Sequence, residues 1–364
     1  MADFYPSRTS RRNLLTNLGA VCLGMSGSGR LLSDTPSPTE VIEEVEFPAM
    51  GSLINIRWES HSSIQFQPKE IRTKAMELVE AWNNILSDYD EDSEISTLAK
   101  RADEGTWQTV SPELSLVMQS ASQWYERSEG AFDVAIGSIT SLRRKRKLPP
   151  RETWEAAHER SGWKHVEWNV SRSQFRLLKP GVRFDFGGIG KGFVADRLHD
   201  LMKSHSIDRF IVNASGNLRV GDAPTNREGW PVAIDSLSPK DEPSKRLFAL
   251  RLSQCAIATS GDQWQKLPDA QSQSLTERTS HILDPRTGYG ISPPQSVSIL
   301  ARHAADADAA ATATCVHLLR PDSNWLRKLE SFAEGYCGVV QTLKDGLPTA
   351  EAFGAFDSQF GIKR

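Results

Sequence analysis

The chain has 364 residues, of which 38% are hydrophobic and 24% charged, and its 25 glycines and 19 prolines are too few for a low-complexity or collagen-like chain. A net charge of −3 argues against a protein whose main task is to neutralise nucleic-acid phosphates. No uninterrupted apolar run approaches the ~18 residues of a spanning helix. The length allows one large domain or two, and either can bury a core without a disulfide or metal staple.

In chain order, Ser10-Arg11-Arg12-Asn13-Leu14-Leu15 precedes a modest apolar segment, Leu18 to Met25, and then a Ser/Gly and Ser/Thr/Pro stretch to Pro38. An Arg pair before a short apolar run resembles a twin-arginine export signal. Residues 1–35 are therefore expected to be signal and linker, and the mature protein to lie in the periplasm. Cys22 follows Gly19-Ala20-Val21, which lacks the residues of a lipidation site, so no lipid anchor is expected. Cys255, Cys315 and Cys337 remain, an odd number with no C-x-x-C pair, and are expected to be buried thiols.

Glu46–Trp58 reads as one strand. Ile71, Ala75, Leu78, Val79, Trp82, Ile85 and Leu86 recur at helical spacing, as do Leu114, Val117, Met118, Ala121, Trp124 and Tyr125 up to Gly130. Between them lie an acidic loop, Ser87–Asp92, and a short helix opened by Ser93-Glu94. Arg143–Lys147 is a basic run without interleaved aromatics, expected to be a solvated loop. Strands are expected at Val166–Val170, Phe175–Leu178 and Arg183–Phe186, then a helix over Gly187–His205. Further strands are expected at Phe210–Val212, Trp230–Ile234, Leu247–Leu252, Ala256–Thr259, Val297–Ala301 and Cys337–Gln341. An Ala-rich helix at Ala305–Leu319 and another around Trp325–Phe332 fall between the last two. Helices and strands mix without strict βαβ alternation and there is no internal repeat, which makes the class α+β.

Four segments carry chemistry. Asp185-Phe186-Gly187-Gly188-Ile189-Gly190-Lys191-Gly192 brings backbone N–H groups to a helix start, with Lys191 adding positive charge. It is a phosphate cradle or a tight strand-to-helix turn, and matches neither the P-loop nor the dinucleotide fingerprint. Ala258-Thr259-Ser260-Gly261-Asp262 lines a ligand wall or makes a turn. Ser280-His281-Ile282-Leu283-Asp284-Pro285-Arg286-Thr287-Gly288 offers a general base in His281 or a structural histidine. In Ala307-Asp308-Ala309-Ala310-Ala311-Thr312, the acid and the hydroxyl share one helix face, a hard-oxygen pair suited to Mg²⁺. Asp306 is a second acid nearby.

In this order the four segments resemble the ApbE family, the FAD:protein FMN transferases. Ala49-Met50-Gly51-Ser52 is similar to the family's entry strand. Leu86-Ser87-Asp88-Tyr89 with Asp92-Ser93-Glu94-Ile95, and Gly130-Ala131-Phe132-Asp133, match further motifs. The sequence departs from the pattern at Val134-Ala135, at Ser215-Gly216-Asn217 and at Gly190. The resemblance implies an ApbE-like, T-fold-related α+β fold of mixed sheets with packed helices, one large catalytic domain over 43–345, with subdomains allowed, and a C-terminal tail, 346–364. It implies FAD as substrate, with its pyrophosphate against Gly188 and Lys191. Mg²⁺, with Mn²⁺ as the alternative, would be held by the Gly190 carbonyl, Asp308 and Thr312. His281 would be the base, with Asp284 orienting it. Ser87, Tyr89, Asp185, Thr259, Ser260 and Asp262 would touch flavin or ribose. FMN would pass from FAD to a Thr or Ser of an acceptor flavoprotein, releasing AMP. Hydrolysis of FAD to FMN and AMP, or FAD binding without chemistry, are the alternatives for the same residues.

Overall fold

The computed structural model describes residues 29–31, 41–60, 67–102, 105–144, 150–237, 246–261, 266–268, 278–320, 322–344 and 347–356. The Arg11-Arg12 segment lies outside them. The chain opens with β1 (Gly29–Leu31), β2 (Val41–Ala49) and β3 (Ser52–Ser60), followed by α1 (Pro68–Leu86), α2 (Glu94–Ala102), β4 (Gln108–Thr109), α3 (Pro112–Arg127), α4 (Gly137–Arg144) and α5 (Arg151–Glu159). Then come β5 (Val166–Asn169), β6 (Gln174–Leu177), α6 (Gly190–Ser204), β7 (Phe210–Ala214), β8 (Asn217–Val220), β9 (Trp230–Asp235), β10 (Arg246–Leu252) and β11 (Ala256–Gly261). The last part holds β12 (Lys266–Pro268), β13 (Arg278–Ser280), β14 (Gln295–Ala301), α7 (Ala304–His317), α8 (Trp325–Glu330), β15 (Cys337–Lys344) and β16 (Leu347–Phe353).

The central sheet has eight strands in the order β16-β15-β14-β11-β8-β7-β3-β2, and every pairing in it is antiparallel. Both of its faces are covered. Phe210, Val212, Ala256, Ala258, Val297, Ile299 and Val340 point into one core with α1, α6 and α7. The alternate residues Ile211, Ile257, Leu300 and Val339 point into a second core, against the three-stranded sheet β1-β9-β10. Burial on both faces explains why these strands read as continuous apolar runs. A third, smaller core joins α4 and α5 to Leu283 and Tyr289.

Several expectations change. Glu46–Trp58 is a hairpin, because Met50 and Gly51 turn the chain with φ of 50° and 73°. Arg183–Phe186 is extended but joins no sheet; its backbone bonds instead to the 134–137 segment, through Gly137 N–H to Arg183 O at 2.9 Å and Asp185 N–H to Val134 O at 2.7 Å. Residues 29–31, expected to be linker, pair with β9. Part of the expected C-terminal tail continues the domain, since β16 pairs with β15 and Phe356 is buried in the second core. Arg143, placed in a solvated loop, is buried and donates to the Ser280 carbonyl at 2.8 Å. The three described cysteines are buried and in no disulfide, as expected. No helix among the described residues is long and apolar enough to cross a membrane.

Candidate active site

The glycine turn is built by local hydrogen bonds. Asp185 Oδ1 accepts the Gly187 N–H at 2.8 Å. The Phe186 carbonyl accepts from Ile189 at 3.0 Å and from Gly190 at 2.7 Å, and α6 starts there. Lys191 Nζ folds back onto the Gly187 carbonyl at 2.7 Å, which holds its charge across the turn. Behind the turn lies the Phe132–Ala135 segment. Asp133 anchors it by accepting the N–H groups of Ala135 at 2.7 Å and Trp163 at 2.8 Å. Burial pushes the Asp133 carboxyl up to about 6, against those two bonds and the Lys164 charge.

α6 and α7 lie antiparallel and very close. Gly192 has no room for a side chain, since a methyl group there would sit 2.4 Å from the Ala304 carbonyl oxygen. The Gly192 N–H donates to Asp308 Oδ2 at 3.2 Å. Four residues earlier, in the turn that precedes the helix, a methyl group at Gly188 would sit 3.0 Å from Thr312 Oγ1 and 3.2 Å from the Phe132 ring. Thr312 Oγ1 also lies 3.2 Å from Ser260 Oγ, at the end of β11. The glycine turn, Asp308, Thr312 and Ser260 thus share one small region. Asp306 is excluded from it, because it accepts the Trp124 indole N–H at 2.9 Å on another face of α7.

The chemistry of this region suits a hard cation. Asp308 is only 4% exposed, and burial raises its carboxyl pKa, opposed by the Lys191 charge and the Gly192 N–H. Its second oxygen, Oδ1, has no hydrogen-bond partner among the described residues. A buried carboxylate with a hydroxyl one turn along and the Ser260 hydroxyl beside it are hard oxygen donors, the type that Mg²⁺ takes. Among the described residues no three His, Cys, Asp or Glu side chains are placed to hold one metal ion, so substrate oxygens and water would have to complete the shell.

The other expected residues fall into three groups. Ser87 follows Leu86, whose side chain would touch a methyl group at Gly190 at 3.5 Å, so the Ser87–Tyr89 loop leaves α1 beside the turn, with Tyr89 78% exposed. Asp185 shapes the turn through its own carboxylate. His281 is half-buried on the connection that leaves the sheet after Gly261 and re-enters at Gln295. Gly261 pairs with Ser296, so this connection springs from the sheet end where Ser260 meets Thr312. Arg143, through the Ser280 carbonyl, and Trp154, stacked on Tyr289 at 5.6 Å, hold that connection against α4 and α5.

Two expected residues are engaged elsewhere. Thr259 alternates with Ser260 and so faces the second core, bonded to Ser298 Oγ at 2.8 Å. Asp284 accepts the Arg286 backbone N–H at 3.0 Å and its guanidinium Nε at 2.9 Å, which fixes the following turn. Asp262 lies outside the described residues. Gly192, Asp196 and Phe132 carry no individual sequence signal of a role in the site. Their signal is positional only: Gly188 in the turn and Gly192 and Asp196 on α6 are spaced by four residues.

The sequence profile of the ApbE family matches residues 50–334. This chain belongs to the ApbE family. The FAD:protein FMN transferase of Chlamydia pneumoniae is 29% identical over 238 residues, 63% of this chain and 71% of that one. The protein of that name from Vibrio cholerae is 28% identical over 297 residues, 79% and 84% of the two chains. Among solved structures, the flavin transferase ApbE from Vibrio cholerae shares the fold with a TM-score of 0.76 at 24% identity, over 87% of this chain and 99% of that one. The ApbE protein of Thermotoga maritima gives 0.71 at 26% identity, over 87% and 98%. The ApbE fold is therefore shared across the described domain.

Proposed function

We propose that this ApbE-family chain is an FAD:protein FMN transferase that moves FMN from FAD onto a Thr or Ser hydroxyl of an acceptor protein. The observation that carries the reading is the meeting of the glycine turn with Asp308 and Thr312, at Gly192 and Gly188. The N–H groups of Gly188 and Lys191, which the turn's own hydrogen bonds leave over, and the Lys191 ammonium offer a seat for the FAD pyrophosphate. Asp308, Thr312 and the Gly190 carbonyl are the residues that would hold Mg²⁺ or Mn²⁺. When bound, the cation would neutralise charge on the anhydride and orient it.

Around that seat the chain's own groups have distinct tasks. Asp185 and Phe186 hold the turn rigid, so the amides need not reorganise as charge develops. His281 takes the proton of the attacking hydroxyl at a ring nitrogen. The acceptor oxygen then bonds to the FMN phosphorus, the P–O bond to the AMP portion breaks, and AMP leaves with the bridging oxygen and its electron pair. Supporting this order are the family membership and the names of the relatives. The test is mass spectrometry of a Thr-bearing acceptor after incubation with protein, FAD and Mg²⁺. A covalent FMN adduct that depends on Mg²⁺ and on Asp308 is expected. Rapid FMN release without any adduct would replace transfer by hydrolysis.

We further propose that the protein acts outside the cytoplasm, on the strength of Ser10-Arg11-Arg12 and the apolar run after it. Replacing both arginines by lysine is expected to retain the protein in the cytoplasmic fraction. Unchanged periplasmic recovery would refute the signal.

A further inference from the structure

Asp196 lies on α6 one turn beyond Gly192 and is 6% exposed. Its two oxygens accept the N–H groups of Ala304 and Ala305, at 2.9 Å and 3.0 Å. These are the first donors of α7, whose own cap residue, His303, makes no side-chain capping bond. A helix start left uncapped by its own sequence is therefore capped from the neighbouring helix.

The contact is the third of a series. Gly188 meets Thr312, Gly192 meets Asp308, and Asp196 meets Ala304 and Ala305. Each step of four residues, from Gly188 in the turn to Gly192 and Asp196 on α6, is matched by a step of about four down α7. Four residues are close to one turn, ~5.4 Å of rise. The first two contacts are glycines, which bring the helices close but cannot by themselves stop them sliding. Asp196 alone in the series makes paired, directional hydrogen bonds. Arg219 on β8 places its Nε 3.1 Å from Asp196 Oδ1 as an ion pair, and its Nη1 donates to the Cys255 carbonyl at 3.2 Å, just before β11. The strand that carries Ser260 to Thr312 is thereby tied to the same carboxylate.

We propose that Asp196 is a positioning residue for the transfer reaction: it sets the register of α6 against α7 and so holds Asp308 and Thr312 at their working distance from the glycine turn. The inference rests on the cation-and-pyrophosphate reading of that site. Asp196 touches neither substrate nor cation, and acts through the two helices.

The test uses the full chain with Mn²⁺ as the probe, counted as free ion by electron paramagnetic resonance, in the presence of FAD. FAD affinity without metal is read separately from flavin fluorescence. Asp196→Asn keeps the side-chain volume but loses the ion pair and one acceptor, and is expected to weaken Mn²⁺ binding about tenfold, as outer-shell partners of metal ligands do. Metal-free FAD affinity is expected to stay at the wild-type value, a split that loss of folded protein would not produce. Asp196→Glu keeps the charge and both acceptors on a longer arm. It is expected to weaken Mn²⁺ as well, and it decides the matter if the Asn variant does not fold. Wild-type Mn²⁺ affinity in a folded Asp196 variant overturns the positioning role. Wild-type Mn²⁺ affinity in Asp308→Ala overturns the site reading itself, so the two failures are distinct.

Discussion

Asp133 offers a direct measure of how burial is balanced behind the active site. Its carboxylate is 8% exposed and is held by the Ala135 and Trp163 N–H groups, yet burial lifts it from the ordinary 3.8 to about 6. A raised carboxyl binds its proton more tightly in the folded protein than in the unfolded chain. The stability it contributes is therefore complete below the unfolded value and is lost as pH rises through about 6. About two units of difference, at ~1.36 kcal/mol each, make this about 3 kcal/mol. That is a large share of the ~5–15 kcal/mol that stabilises a typical domain. Asp133→Asn does not titrate, and its amide oxygen accepts one of the two N–H bonds. The orphaned N–H costs ~1–3 kcal/mol at every pH, so the change with pH carries the prediction. Urea denaturation of both proteins from pH 3 to pH 8 is expected to show the stability difference moving by about 3 kcal/mol, in favour of the variant at the high end. A flat difference would refute the claim that ionised Asp133 is costly in the fold. A change of opposite sign would mean that the two N–H groups outweigh burial.

Asp308→Asn is expected to abolish the Mg²⁺ response: at a hundredfold excess of Mg²⁺ over its dissociation constant the wild type, with FAD present, gains about 2.7 kcal/mol, whereas the variant gains nothing, as read by thermal unfolding with and without Mg²⁺. Gly192→Ala pushes a methyl group to 2.4 Å from the Ala304 carbonyl oxygen and 2.6 Å from Ala305 Cα, both backbone atoms, and is expected to cost ~1–3 kcal/mol in urea denaturation. Gly190→Ala meets only side chains, at 3.5 Å and 3.6 Å, and is expected to leave stability nearly unchanged. His281→Ala is expected to slow FMN transfer by ~10²–10⁴-fold with FAD affinity retained; unchanged transfer would remove the residue from the chemistry.

The parts of the fold legible in the sequence are those in which one element's own periodicity records its environment. The stripe Ile71, Ala75, Val79, Trp82, Leu86 is buried along α1 as its spacing implies. The segment 182–186 shows the limit of that rule. Val182, Phe184 and Phe186 alternate inward, and Phe184 and Phe186 stack at 6.1 Å, so side-chain packing satisfies the period of two while the backbone stays outside any sheet. Arg143 fails for a related reason. A run of five basic residues reads as solvated, but α4 turns its first member under the Ser280 carbonyl, a contact between residues far apart in sequence. β16 was unreadable because six of its seven residues are exposed and only Phe353 is buried, which leaves almost no apolar period to detect.

The candidate site divides along the same line. Asp308 and Thr312 share a face because they are four apart on one helix, and that relation is local. Their partners depend on how two helices slide past each other, which no single-helix period encodes. The information is nonetheless in the chain. Gly188, Gly192 and Asp196 are spaced by four, as are Ala304, Asp308 and Thr312, and residues that must interlock across an antiparallel pair have to be spaced alike on both members. Only small residues permit the approach, which is why the Ala-rich α7, buried on nearly every face, shows no amphipathic stripe. The features that obscure α7 as a surface helix are the ones that let its acid and hydroxyl reach the glycine turn. In this pair, the requirement for close backbone contact and the requirement for a buried oxygen site are met by the same residues.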